Sequence, residues 1–312
     1  MRRTLPLIAM LALAPPASAG TGGSDVPPTN GPATGDGGGA VFESPKKKAA
    51  AKKRKRSKRR AARGPVLTSF AVRSKRLYLM GSPTSVSFRI GGRTRLRDVR
   101  LYLVPIGSRT PASMLKLGPL ARRTDHSIRL TGTENGVLPQ GDYTVRVGAK
   151  DARGRRLRRA AGISSTGTLA FLHHRFPVAG PFSYGGADAR FGAGRKGHRH
   201  QGQDLAASEG TPVVAPRGGT VKAVQYQASG AGHYVVLKAA GEDRDYVFMH
   251  LKTGSIPVVE GQSVRTGQRI GQVGNTGRSF GAHLHFEVWT GGGWYSGGRP
   301  MDPLPLLKAW PR

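Results

Sequence analysis

Residues 281–289 read Gly281-Ala282-His283-Leu284-His285-Phe286-Glu287-Val288-Trp289. In a strand, side chains at i and i+2 share a face. Leu284, Phe286 and Val288 then form an apolar face, and His283, His285 and Glu287 form the opposite one. Two imidazoles side by side on a rigid element suit a metal ligand and a proton-transfer partner. A polar outer face that happens to hold two histidines is the plain alternative. Similar strand-like runs fall at 213–215, 220–224, 233–237, 245–251 and 269–273, with glycine in almost every gap. From about Pro177 to the C-terminus the chain therefore reads as an all-β unit of mostly antiparallel sheet.

Two further clusters carry chemistry. In Arg199-His200-Gln201-Gly202-Gln203-Asp204, His200 and Asp204 share a face of extended backbone with a side-chain-free glycine between them. One histidine and one carboxylate are half of a zinc site. A third ligand from His285 leaves a fourth position for water, the open arrangement of catalytic zinc. His198 is a rival ligand, set aside because it lacks the glycine-spaced arrangement and borders a basic loop. In 245–251, alternation places Val247, Met249 and Leu251 toward the core and Tyr246, Phe248 and His250 outward.

The first half reads differently. Residues 1–19 combine a basic start at Arg2 and Arg3, a short apolar run and Ala17-Ser18-Ala19, the pattern of a cleaved signal peptide. Residues 20–45 hold almost nothing to bury and read as a disordered tail. In 46–63, 12 of 18 positions are basic. Behind a signal peptide, such a block suits an anionic wall polymer or membrane surface rather than nucleic acid, while a solvated spacer is the bland reading. Alternating runs at 85–90, 99–104 and 143–147 indicate a β-sandwich over 65–160, with 161–180 as a connector and 181–312 as the second domain. The stretch 138–154 loosely resembles bacterial Ig-like or fibronectin-like modules. His126, His173 and His174 read as ordinary structural or surface histidines.

Composition narrows the chemistry. The 312 residues include 50 Lys and Arg against 17 Asp and Glu, 46 Gly, 22 Pro and no Cys. Disulfides, thiolate-bound zinc and a thiol nucleophile are excluded, so a metal site must use His and carboxylates.

Taken in order, H-x-G-x-D (200–204), G-T-P-V-V-A-P (210–216), M-H-L (249–251), the glycine-rich run 260–277 and G-A-H-L-H-F-E-V (281–288) resemble the lysostaphin/LytM-type zinc metallopeptidases that cut bacterial peptidoglycan. Asp302-Pro303 matches the family's usual ending. The resemblance covers roughly 177–305. It implies Zn2+ held by His200, Asp204 and His285, with His283 as base or water-orienting residue and His250 as its partner. Either His283 or His250 can take the proton of the attacking water. For Glu287 two readings stay open, orienting His285 or lying at the surface. Met249 is expected to point away from the site. Gly274 to Gly277 and Phe280-Gly281 are turn signals that deliver the histidine strand to the cleft rim, and Gly185-Gly186 and Gly192 to Gly197 are expected to form a loop along a groove.

The resemblance thus implies a secreted, cell-wall-associated endopeptidase acting on peptide stems or cross-bridges of peptidoglycan. The alternative is a non-catalytic wall-binding regulator, which predicts missing ligands. A polyanion-binding adhesive protein would explain the first half of the chain and leave the histidines unexplained.

Overall fold

Strands, many with apolar residues at every second position, account for nearly half of the described residues. The structure, a computed structural model, describes residues 64–312 together with Ala49, Lys52 and Lys53. The expected signal peptide, the tail and all but three residues of the basic block lie outside the described residues.

Nine strands come first: β1 (Val66–Val72), β2 (Arg76–Tyr78), β3 (Thr84–Gly91), β4 (Leu96–Pro105), β5 (Ser113–Gly118), β6 (Asp125–Leu130), β7 (Gly141–Asp151), β8 (Arg158–Arg159) and β9 (Thr166–Leu172). They form a four-stranded sheet in the order β6-β3-β1-β8 and a five-stranded sheet in the order β2-β9-β7-β4-β5. One core lies between them, with Val86, Phe88 and Ile90 of β3 facing Leu101, Leu103, Val145 and Phe171. Each such side chain contributes about 1.5–3 kcal/mol by leaving water. Tyr143 is buried without an orphaned hydroxyl because its O–H donates to the Pro139 carbonyl at 2.7 Å.

The expected connector needs correction. Within 161–180, Thr166–Leu172 is a strand hydrogen-bonded between β7 and β2. Only Leu169 and Phe171 of this strand face the core, and Gly167 and the threonines dilute the alternation. Linker character begins after Leu172.

The remaining elements are β10 (Gly194–Arg195), β11 (His198–Arg199), β12 (Gln203–Ala206), β13 (Pro212–Val214), β14 (Gly219–Gln227), β15 (Gly232–Ala239), β16 (Asp245–Leu251), β17 (Ser263–Val264), β18 (Arg269–Gln272), β19 (His283–Thr290), β20 (Arg299–Met301) and helix α1 (Leu304–Ala309). The main sheet runs β12-β19-β16-β15-β14-β17, antiparallel throughout, with β20 added to β19. β13 and β18 pair separately, as do β10 and β11.

Both faces of the main sheet are covered. Leu284, Phe286 and Val288 enter a core with Tyr246, Phe248, Val235 and Trp310. On the opposite face, Val236, Val247, Tyr234 and Trp289 form a smaller cluster. The histidine face of β19 borders this smaller cluster, so His285 and Glu287 are buried rather than solvated.

The two halves touch around Thr266. Its hydroxyl donates to the Leu79 carbonyl at 2.5 Å, and the Gly218 amide donates to that hydroxyl at 2.8 Å. Among the described residues no helix is long and apolar enough to cross a membrane.

Candidate metal centre

β12 lies beside β19 with Asp204 directly opposite His285. Facing residues in an antiparallel pair stand about 5 Å apart at Cβ, so their side chains meet. His200 sits just before β12. The result is a triangle of donor atoms: His285 Nδ1 to Asp204 Oδ1 is 2.8 Å, His200 Nε2 to His285 Nδ1 is 2.9 Å, and His200 Nε2 to Asp204 Oδ1 is 3.1 Å. Among the described residues this is the grouping whose ligand atoms could hold a metal ion.

Partners behind each imidazole determine which nitrogen faces the triangle. His200 Nδ1 lies 2.8 Å from the Arg190 carbonyl. A carbonyl only accepts, so Nδ1 carries the proton and Nε2 presents its lone pair. His285 Nε2 lies 2.9 Å from Glu287 Oε1, so Nε2 donates and Nδ1 faces Asp204. Glu287 is buried, and its other oxygen accepts the Trp289 indole N–H at 2.7 Å. Glu287 thus lies behind His285 and not at the surface.

Two imidazole nitrogens and a carboxylate oxygen converge on one point, a combination that calls for a cation. The triangle's edges are slightly shorter than the roughly 3.3 Å edge of a tetrahedron with about 2.0–2.1 Å bonds, and small side-chain shifts suffice to admit zinc. The charges agree with this fit. Burial alone would lower the His285 pKa, but hydrogen bonds to Asp204 and Glu287 raise it to about 9. Burial alone would raise Asp204, yet hydrogen bonds from His200 and His285 hold it well below the usual carboxylate range. Metal binding displaces the proton shared in this cluster.

Gly202 allows the triangle to close. A Cβ there would lie 2.6 Å from the Phe286 carbonyl and 2.7 Å from His285 Nε2. The glycine therefore makes room for His285, rather than for the gap between His200 and Asp204.

His250 and His283 stand at the rim, ring centroids 4.8 Å apart. His283 Nδ1 is 2.8 Å from the Gly281 carbonyl, and its Nε2 points toward Asp204 Oδ1 at 3.7 Å. His250 Nδ1 is 2.8 Å from the Thr276 carbonyl. Both rings therefore donate backward and offer Nε2 to the cleft. Burial first, and then neighbouring His283, push the His250 pKa down to about 4, so it is neutral near pH 7.

The structure inverts the expected faces of β16. Tyr246 and Phe248 enter the main core, while Val247 and Met249 join the opposite cluster. Strict alternation would then bury His250 in the main core. Instead His250 adopts a left-handed φ of 61°, and the β15–β16 register shifts between His233 and Val235. This bulge places Met249 and His250 successively on the cleft side and returns Leu251 to the core. Met249 consequently lines the cleft, contrary to expectation.

His198 lies outside the triangle, with Nδ1 3.3 Å from the Lys196 carbonyl. The 192–197 stretch belongs to the β10–β11 hairpin, and Arg195 and Lys196 line the cleft as expected for a groove wall. The cleft encloses about 1010 Å³. Arg190, Thr276 and Gly281 were not foreseen in their orienting role. They act through backbone carbonyls, which any residue type supplies.

Residues 198–303 match the family model described as peptidase family M23. This chain contains an M23 peptidase domain. It is 46% identical over 107 residues to an uncharacterized metalloprotease of Haemophilus influenzae, covering 34% of this chain and 21% of that protein. It is 41% identical over 117 residues to the peptidoglycan DD-endopeptidase ShyA of Vibrio cholerae, covering 36% and 25%. Lysostaphin of Staphylococcus simulans is 33% identical over 117 residues, covering 37% and 23%. The chain therefore spans about a fifth to a quarter of the length of these relatives. The five histidine and aspartate positions discussed above all fall inside the M23 domain.

Proposed function

We propose that the protein is a zinc-dependent endopeptidase that hydrolyses peptide bonds of bacterial peptidoglycan. The observation that carries this reading is the convergence of two imidazole nitrogens and a carboxylate oxygen beside two further imidazoles that open onto a cleft. In this reading His200, Asp204 and His285 hold Zn2+, and His250 and His283 act on the reactants.

Zinc, when bound, supplies a Lewis acid that acidifies water and polarises the scissile carbonyl. The chain's own residues supply the rest. Glu287 and the Arg190 carbonyl hold two imidazoles in the tautomer that donates electron pairs inward. The Nε2 atom of either His283 or His250 accepts the proton of the attacking water, and the resulting imidazolium returns it to the leaving amine. Charge developing on the carbonyl oxygen is met by that imidazolium.

The relatives named peptidoglycan endopeptidases support the substrate class. Residues 181–312 are the catalytic domain in this proposal, and 65–160 with the added strand to Leu172 are an Ig- or fibronectin-like module. We further propose export directed by residues 1–19 and wall association aided by 46–63. Muropeptide analysis by mass spectrometry tests the function. New cleaved stem or cross-bridge products are expected with the protein and are expected to vanish with a chelator. An unchanged muropeptide profile would overturn the endopeptidase reading.

A further inference from the structure

One end of the two-sheet part carries a charge imbalance that the histidine cleft does not use. Between residues 64 and 172, seventeen arginines and three lysines face five carboxylates. Three loops meet at this end, 92–95, 119–124 and 152–157. They are tied together by specific bonds. The Arg123 amide donates to the Ile90 carbonyl at 2.8 Å, and the Ala152 amide to the Arg95 carbonyl at 3.0 Å. Arg155 Nη2 donates to Thr94 Oγ1 at 2.5 Å, and Arg122 donates to the Arg93 carbonyl.

The carboxylates at this end are already engaged. Asp98 pairs with Arg100 at 2.8 Å, Asp125 with Arg89 at 3.6 Å and Asp151 with Arg155 at 2.6 Å. Arg93, Arg95, Arg97 and Arg123 are exposed and pair with none of them. Arg93, Arg95 and Arg122 line a concavity of about 560 Å³ together with 119–121. Pro65 packs at the same place. A Cβ on Gly92 would lie 3.3 Å from Pro65 Cα, and Pro65 follows the basic segment 46–63 by a single residue, Gly64.

We propose that this end of the two-sheet part is a docking surface for a linear, phosphate-bearing polyanion. Guanidinium forks match phosphate oxygens in pairs, which lysine ammonium groups do not. A hollow flanked by arginine loops accepts a chain of separated anionic groups. A membrane-docking surface would add apolar side chains that enter the lipid. Among the described residues the exposed large hydrophobics are Met80, Ile106, Val137, Tyr226, Val259, Phe280 and Tyr295, and none lies on these loops. This surface extends beyond the proposed endopeptidase function and does not depend on it.

The test uses the full chain and the triple variant Arg93→Gln/Arg95→Gln/Arg122→Gln, titrated with long-chain inorganic polyphosphate across a salt series. Binding should weaken about tenfold at low salt, and the slope of log affinity against log salt should fall by about 2, since each lost phosphate contact removes roughly 0.7–0.9. The thermal midpoint reports whether the variant folds; if it does not, the single Arg95→Glu variant carries the same comparison. A loss with polyphosphate supports the surface, whether or not binding to phosphatidylglycerol vesicles falls as well. Unchanged polyphosphate affinity and slope, or a loss confined to vesicles, would overturn it.

Discussion

Glu287 Oε1 accepts the Nε2–H of His285 at 2.9 Å, from a position directly behind the triangle of donor atoms. The same carboxylate accepts the Trp289 indole N–H at 2.7 Å. Two donors therefore fix one acid, and the acid fixes the imidazole. Changing Glu287 to Gln leaves one carbonyl oxygen for two N–H groups and removes the charge that favours inward donation. We expect zinc affinity to fall about 10- to 100-fold with the fold retained. Competition against a chromogenic zinc chelator measures this, and unchanged affinity would remove Glu287 from the account.

His283 and His250 are assigned to the reactants rather than to the ion, because neither belongs to the converging triangle while each, held at Nδ1 by a carbonyl, offers Nε2 to the cleft. His283→Ala and His250→Ala should each retain bound zinc. Turnover should drop by about 10²- to 10⁴-fold, the range of a lost acid–base group, with a smaller change in KM. Loss of zinc in either variant would move that residue into the ligand set.

Much of this arrangement was legible in the sequence where a simple period held. Alternation in 282–290 identified β19 and both its faces, and the glycine-spaced His200 and Asp204 identified the neighbouring pair. β16 was misread because alternation assumes ordinary φ, and the left-handed His250 breaks it at the functional residue. Nothing in Asp245-Tyr-Val-Phe-Met-His-Leu announces that bulge. β9 was missed because glycine and threonine weaken its apolar signal. The carbonyls of Arg190, Thr276 and Gly281 leave no sequence trace at all, since orientation by backbone is independent of side-chain identity.

A half-buried acid, Glu242, ties the linker after Leu172 to the peptidase domain. Glu242 Oε1 lies 2.7 Å from His174 Nε2, and Tyr246 O–H donates to its other oxygen at 2.8 Å. His174 also stacks on Trp310, with ring centroids 5.1 Å apart. Burial would raise the Glu242 pKa, but the His174 contact and then Tyr246 outweigh it and hold the group at about 2, below its ordinary 4.5. A depressed folded pKa stabilises the protein fully above about 4.5 and loses that contribution as pH falls toward 2. Glu242→Gln should therefore lower the thermal midpoint near neutrality. The difference from the parent should shrink between pH 4.5 and 2. A gap that stays constant across that range would contradict the linkage.

Metal content decides the central claim most directly. The chelator-stripped full chain, reloaded with zinc and passed through a desalting column, should hold about one equivalent by elemental analysis, as three converging protein ligands require. His285→Ala and Asp204→Ala, shown folded by their thermal transitions, should hold almost none. Stoichiometric zinc in both variants, or none in the parent, would contradict the proposal that residues 200, 204 and 285 share one ion.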